Sequence, residues 1–179
     1  AFMGIRGSSP IHFTRGMQVV ATFFHRSGVS YGRMDARISF LDPNSPAGAE
    51  VLMGRRSRRA AFVPDFFVFP GGRIDPADHA ICAATPLDPA SVARMGVRRD
   101  ASLAVALAMA AVRETSEETG LLLAESGDIG AVTHAEWAHW KARGLAPWLH
   151  HLSYFGRAIT SPISPIRFHA RIFIARAEA

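Results

Sequence analysis

The chain has 179 residues, of which 49% are hydrophobic and 20% are charged, and its formal net charge is +5. This length suits one domain with a buried core, and the composition excludes an intrinsically disordered chain. The longest apolar run without a charge, residues 101–112, has 12 residues, whereas a membrane-spanning helix needs roughly 20. The sequence therefore predicts a protein without a membrane span.

The charge and the cysteine content indicate the cellular compartment and the class of ligand to expect. The N-terminal residues lack the pattern of a secretory signal peptide, and the single cysteine, Cys82, predicts no internal disulfide. We therefore expect a protein of the reducing cytoplasm. The basic balance favours an anionic small-molecule ligand such as a phosphate. Because arginine is spread along the whole chain, nucleic-acid binding is the weaker alternative.

Strand patterns dominate the first part of the chain. Residues 17–24 are apolar enough for a strand, and residues 36–41 and 50–54 flank a turn-rich stretch that predicts a hairpin. Residues 65–69 are almost wholly apolar and predict a short buried strand. Pro70 ends this strand because it cannot donate to a strand ladder.

One helix is predicted more strongly than any other element. Residues 101–119 are rich in alanine and leucine, with Asp100 placed to cap the helix and Gly120 placed to end it. Residues 79–100, just before it, have no clear period and predict an irregular insertion with a short helix near residues 89–95.

Smaller elements follow this helix. The predicted elements are a strand over residues 121–124, a helix over 134–143 that begins with a capping box from Thr133 to Glu136, and strands over 152–159 and 168–175. Trp137, Trp140 and Trp148 are expected to pack in the core or in a lid.

The helix over residues 101–119 carries an unusual group of charges near its end. Glu114, Glu117 and Glu118 are spaced i, i+3 and i+4, so their carboxylates share one face. Like charges at this spacing destabilise a helix by about 0.2–0.5 kcal/mol per pair, which Arg113 offsets only in part. Carboxylates are the ligands that Mg²⁺ and Mn²⁺ prefer. A bound cation is therefore one explanation, and a solvated acidic face is the other.

Two segments together resemble the signature of the Nudix hydrolase family. Residues 113–121, RETSEETGL, match its second half, and residues 69–78, FPGGRIDPAD, are similar to its first half. The positions that correspond to the Nudix box are Gly72, Asp78, Arg113, Glu114, Glu117, Glu118 and Gly120. Asp78 stands where glutamate is usual, and 34 residues separate it from Arg113 where the signature has seven.

This long interruption is similar to that of a split-box subgroup related to the peroxisomal coenzyme A diphosphatases. Residues 167–175 are similar to a segment of that subgroup written ARFFxA, and a coenzyme A motif upstream is matched in part. Arg55 fits this motif, whereas Ala61 and Asp65 replace its second arginine and its glycine. The resemblance implies hydrolysis of the diphosphate of coenzyme A or acyl-coenzyme A. ADP-ribose, another nucleotide diphosphate, and a catalytically inactive binding module remain open.

The resemblance also implies roles for individual residues. Glu114, Glu117 and Glu118 would hold Mg²⁺ or Mn²⁺, and Arg113 would orient these carboxylates. Glu117 is the first choice for the general base, with a carboxylate elsewhere as the alternative. The residues implied to bind substrate are Arg55, Gly71 and Gly72.

The implied fold is an α/β/α sandwich of the Nudix type, with a mixed sheet and the insertion at about residues 79–100 inside the box. We expect the domain to span residues 36–179, preceded by an N-terminal extension or first strand over residues 1–35. We expect the segment that closes this fold either to be short or to lack its usual C-terminal helix. If that helix is absent, a second copy, in a homodimer, is one way to cover the sheet.

Overall fold

The computed structural model describes residues 17–24, 39–42, 49–51, 53–55, 57–59, 65–97, 100–159 and 169–177. Within these ranges helices and strands are mixed along the chain, in agreement with the predicted α/β class. None of the helices in these ranges has both the length and the apolar character that crossing a bilayer requires.

A five-stranded sheet holds the two ends of the described chain together. Its strands, in spatial order, are β2 (Ser39–Asp42), β3 (Ala49–Val51), β1 (Met17–Phe24), β9 (His169–Ala177) and β8 (Ser153–Ile159). β1 pairs antiparallel with β9 and parallel with β3, so the sheet is mixed, as predicted. β1, over residues 17–24, is the central strand of this sheet. The boundary expected at residue 36 lies outside the described residues.

The predicted hairpin forms with different bounds. β2 and β3 pair antiparallel, but the second predicted strand is divided between two pairings. Its first residues belong to β3, whereas Gly54 begins β4 (Gly54–Arg55), which pairs with β5 (Phe67–Val68) in a separate two-stranded ribbon.

The prediction of a buried strand over residues 65–69 is wrong. Only the two residues of β5 are extended and paired, and the side chains of Phe66 and Phe67 are 62% and 47% exposed. The apolar run predicted burial, but β5 belongs to the two-stranded ribbon and is not part of the five-stranded sheet.

Helix α2 (Ala101–Thr119) forms at the predicted bounds. The carboxylate of Asp100 accepts a hydrogen bond from the backbone N–H of Leu103 at 3.1 Å, and Gly120 ends the helix in the left-handed conformation, with φ at +75°. The buried residues of α2 cover more than the one face that its sequence pattern indicated. Between residues 104 and 113 every side chain except that of Val105 is buried, so α2 is an interior helix.

The segment over residues 79–100 contributes to the core. Helix α1 (Pro89–Met95) forms at the predicted bounds, with the carboxylate of Asp88 capping it through the N–H of Ser91 at 2.9 Å. Ile81, Leu87 and Met95 are buried in the same cluster as the residues of α2. The segment is therefore packed more closely than its irregular pattern indicated, and its status as an insertion stays a prediction.

The remaining elements follow α2 and precede β8 in chain order. They are β6 (Ala124–Ser126), α3 (Ala135–Ala142), β7 (Leu145–Pro147) and a 3₁₀ turn (Leu149–His151), and β6 pairs antiparallel with β7. The strand predicted over residues 121–124 thus begins only at its last residue, and β7 was not predicted. The predicted capping box at Thr133 is wrong, because His134 Nδ1 accepts the N–H of Glu136 instead, at 3.2 Å.

The tryptophans of α3 confirm the core prediction. Trp137 and Trp140 are fully buried, with their rings in edge contact at a centroid distance of 5.3 Å. This pair fixes α3 against the rest of the core.

Candidate active site

Three segments meet at the C-terminal half of α2. They are the tripeptide Pro70-Gly71-Gly72, the short 3₁₀ helix Pro76–His79 and the charged end of α2. The structure therefore brings together the two halves of the sequence signature, although 34 residues separate Asp78 from Arg113 along the chain.

Asp78 and Arg113 form a buried ion pair at the centre of this site. Asp78 Oδ1 lies 2.9 Å from Arg113 Nε, and Asp78 Oδ2 accepts from the NH2 group at 3.1 Å. The side chain of Asp78 is fully buried and that of Arg113 almost fully. Such a two-point contact between carboxylate and guanidinium fixes both position and orientation. The role of Asp78, which the sequence left open, is to hold Arg113.

Two further donors complete the environment of Asp78. The indole N–H of Trp137 donates to Oδ1 at 2.9 Å, and the backbone N–H of Asp75 donates to Oδ2 at 2.8 Å. Each oxygen of the buried carboxylate therefore accepts two hydrogen bonds. The buried charge is thus both paired and hydrogen-bonded, which is the condition under which a protein tolerates it.

The rest of the Arg113 guanidinium faces the glutamates. Its NH1 group lies 3.0 Å from Glu114 Oε1 and 3.1 Å from Glu117 Oε1, and NH2 donates to the carbonyl of Arg73 at 2.8 Å. Burial by itself would lower the pKa of Arg113, but the hydrogen bonds that it donates to Asp78 and the charges of the nearby carboxylates raise the pKa above its ordinary value. Arg113 is therefore a permanent cation that orients two of the predicted metal ligands.

The glycine loop, formed by Pro70-Gly71-Gly72, contacts two of the glutamates. The N–H of Gly71, which has a φ of +153° that favours glycine, donates to Glu118 Oε2 at 2.8 Å. A Cβ on Gly72 would overlap the carboxyl group of Glu114. A side chain at residue 72 would therefore require the Glu114 carboxyl to move from its position beside Arg113.

In the described part of the site, carboxylates outnumber the guanidinium groups that contact them. The four carboxylates brought together with Arg113 are those of Asp78, Glu114, Glu117 and Glu118. When all are ionised, four negative charges face one positive charge. Burial raises the pKa of Glu114 to about 7, the charge of Glu117 adds to this rise, and Arg113 only partly opposes it.

This donor set fits a divalent cation by chemistry and charge. Carboxylate oxygens are the hard ligands that Mg²⁺ and Mn²⁺ prefer, and a divalent charge would offset the excess. Within the described ranges, however, no three His, Cys, Asp or Glu side chains are arranged as a metal-binding group. Two of the predicted ligands are turned toward Arg113 and the third toward Gly71. Their role as metal ligands stays a prediction.

Arg55 is placed apart from the glutamates. In the β4–β5 ribbon its Nε lies 2.7 Å from Asp65 Oδ1, and Asp65 also faces Arg58 at 3.5 Å. Asp65 has a φ of +67°, a conformation that favours glycine. The structure assigns Arg55 an ion pair in the ribbon, and within the described residues it shows no contact between Arg55 and the glutamates.

Sequence reasoning missed one residue beside the glutamates. Nδ1 of His134, which caps α3, lies 3.7 Å from Glu117 Oε1. The spacing from Thr133 to Glu136 pointed to the wrong cap, and no local pattern relates His134 to α2. Its proximity to Glu117 depends on how α3 packs.

Replacing the partly buried Glu114 should change how stability depends on pH. The pKa of Glu114 is about 7 in the folded protein and 4.5 ordinarily, so folding favours the protonated carboxyl. The resulting stabilisation is complete below pH 4.5 and is lost as the pH rises through about 7. Glu114→Gln should therefore raise the free energy of unfolding at pH 8 by up to about 3 kcal/mol in EDTA, with little effect at pH 5. Urea denaturation measures both values, with the exposed Glu125→Gln as control. Equal effects at the two pH values would contradict the burial of this charge.

Replacing Gly72 should lower the stability of the protein more than replacing a glycine that has free space around it. Gly72→Ala places a methyl group against the Glu114 carboxyl and should lower the free energy of unfolding by about 1–3 kcal/mol. Gly156→Ala is the matched control, since no atom lies within 4 Å of its added Cβ. Urea denaturation compares the two variants, and equal stability would contradict the account, because the Glu114 carboxyl would then move away from Arg113 at no cost.

No protein-family model matches the chain. Among solved structures, the chain is similar to that of a Nudix hydrolase from Alicyclobacillus acidocaldarius, with 25% sequence identity and a TM-score of 0.50. The similarity covers 90% of this chain and 70% of that one. This finding supports the Nudix resemblance and a hydrolase activity, and it is compatible with the mixed helix and strand composition of the fold.

Proposed function

We propose that this chain is a Nudix hydrolase that cleaves the diphosphate of a nucleoside diphosphate linked to another moiety. The observation that carries the proposal is the buried pair of Asp78 and Arg113, which joins the two halves of an interrupted signature beside three glutamates. The similarity to the solved Nudix hydrolase supports the same reaction class. The ligand is then a nucleotide-derived small molecule.

Coenzyme A or an acyl derivative is the favoured substrate. The support is the split box and the partial match of the coenzyme A motif at Arg55. ADP-ribose and other nucleotide diphosphates are the alternatives within the same reaction. We further propose a cytoplasmic protein, because a single cysteine, which offers no internal disulfide, suits a reducing compartment.

Glu114, Glu117 and Glu118 would hold Mg²⁺ or Mn²⁺ at the end of α2. When bound, the ion supplies neutralisation of the charge that develops on phosphate oxygens and lowers the pKa of a bound water. Arg113 contributes by keeping Glu114 and Glu117 in place, because its own position is fixed by Asp78.

Glu117 is the proposed general base. Its side chain is 30% exposed, whereas that of Glu114 is only 15% exposed, so Glu117 is more accessible to a water molecule. The carboxylate of Glu117 accepts the proton as the water oxygen bonds to phosphorus, and the bond from phosphorus to the bridging oxygen breaks. The products are two phosphate monoesters, and the proton then passes to solvent.

A binding module without turnover is the second candidate. The observation that favours it is that the glutamates are turned toward Arg113 and Gly71 and form no metal-binding group in the described ranges. This candidate predicts nucleotide binding without hydrolysis.

Product release from a substrate panel tests the proposal. The panel contains coenzyme A, acetyl-coenzyme A, ADP-ribose, NADH, diadenosine polyphosphates and nucleoside triphosphates, each with Mg²⁺, Mn²⁺ or EDTA. We expect cleavage of one class with metal and none with EDTA. Glu117→Gln should lower kcat by about 10²-fold or more, whereas Glu125→Gln, on the exposed face of β6, should not.

Two outcomes would contradict the proposal. If Glu117→Gln keeps turnover within a few-fold of the unchanged protein, the assignment of the base is wrong. If folded protein cleaves no member of the panel but binds one of them, the binding module replaces the hydrolase.

A further inference from the structure

A cluster of positively charged arginines lies on two strands of the five-stranded sheet. In the pairing of β8 with β9, Arg157 stands directly opposite Arg171, and Tyr154 stands opposite Phe173. Side chains that are directly opposite in an antiparallel pair share a face, and so do residues two apart on one strand. Both arginines therefore lie on the face that carries Phe173, a residue of the hydrophobic core.

Arg171 is buried without an acceptor for its Nε. The residue is only 8% exposed, and its Nε has no hydrogen-bond partner among the described residues. Burial lowers the pKa of Arg171, and the charge of Arg157 lowers it further, while Tyr154 acts in the opposite direction. A buried N–H donor without an acceptor is costly, so proteins rarely keep one.

No carboxylate compensates this cluster in the described part of the chain. Neither Arg157 nor Arg171 has an ion pair there, and a third guanidinium, that of Arg94, lies 6.0 Å from the ring centre of Tyr154. Like charges directly opposite each other destabilise a strand pair. An anion between the two side chains would remove both the repulsion and the unpaired N–H.

We propose that Arg157 and Arg171 form a binding site for a phosphate group, distinct from the glutamates of the candidate active site. Guanidinium groups present paired N–H donors that match phosphate oxygens. Arg157 is exposed and gives the ligand access from solvent, whereas Arg171 is held in the sheet. The phosphate is either free or a monoester group of the substrate, and only the second source rests on the proposed hydrolase function.

Thermal unfolding with inorganic phosphate tests the site without metal or turnover. In EDTA at pH 7 and constant ionic strength, saturating phosphate should raise the Tm of the unchanged protein by at least about 2 °C relative to chloride. Arg157→Gln should lose most of this shift, and because the residue is exposed the variant should fold. Arg171→Lys, which keeps the charge but not the paired donors, should reduce the shift.

The control removes an equal charge elsewhere. Arg143 is exposed at the end of α3, so Arg143→Gln should retain the full phosphate shift. A shift in Arg157→Gln as large as that in the unchanged protein would overturn the site. An equal shift with chloride would overturn it as well, because the effect would then be one of ionic strength.

A comparison of coenzyme A with its dephospho form identifies the source of the phosphate. If the site holds a monoester of the substrate, Arg157→Gln should raise KM for coenzyme A by about tenfold and leave KM for the dephospho form unchanged. If the phosphate is free, both KM values stay unchanged while the thermal shift still depends on Arg157. Absence of hydrolysis in every variant would count against the proposed hydrolase and would leave the thermal test of the phosphate site intact.

Discussion

The buried ion pair of Asp78 and Arg113 is the interaction on which the candidate site depends. It connects the 3₁₀ helix after the glycine loop to the middle of the interior helix α2, and the indole of Trp137 ties α3 to the same carboxylate. Three elements that are far apart in sequence thus share one charged centre. Because Arg113 is fixed from the Asp78 side, its other edge presents two donors to Glu114 and Glu117 in a defined direction. A long interruption between the two halves of the signature is compatible with this arrangement, since the entropy of closing a loop grows only slowly with its length.

The site also contains an electrostatic conflict. The glycine loop lies so close to α2 that Gly72 leaves no room for a Cβ beside Glu114, and this closeness contributes to the burial that raises the pKa of Glu114 to about 7. Among the described residues of the site, four carboxylates lie around one guanidinium, that of Arg113. A binding site for a cation is a physical reason to keep such an arrangement. The sheet carries the opposite imbalance at Arg157 and Arg171, and a phosphate group would balance that one.

Local sequence patterns predicted much of this structure. The caps Asp100 and Gly120 gave α2 its bounds, and the spacing of Glu114, Glu117 and Glu118 identified the charged face, because helix geometry is set by neighbours within four residues. Patterns failed where the outcome depends on distant partners. Phe66 and Phe67 read as a buried strand although the ribbon that holds them stays exposed. Trp137 lies 59 residues from Asp78 and His134 lies 17 residues from Glu117, so no local spacing relates either residue to the site.

A double-mutant cycle on the buried pair tests the central claim most directly. The free energy of unfolding is measured in EDTA for the unchanged protein, Asp78→Asn, Arg113→Met and the double variant. If the pair holds the site together, each single change should cost about 3–5 kcal/mol because it leaves a buried charge without its partner, and the double change should cost much less than the sum of the two. Costs that simply add would contradict the account, because Asp78 and Arg113 would then stabilise the fold independently of each other.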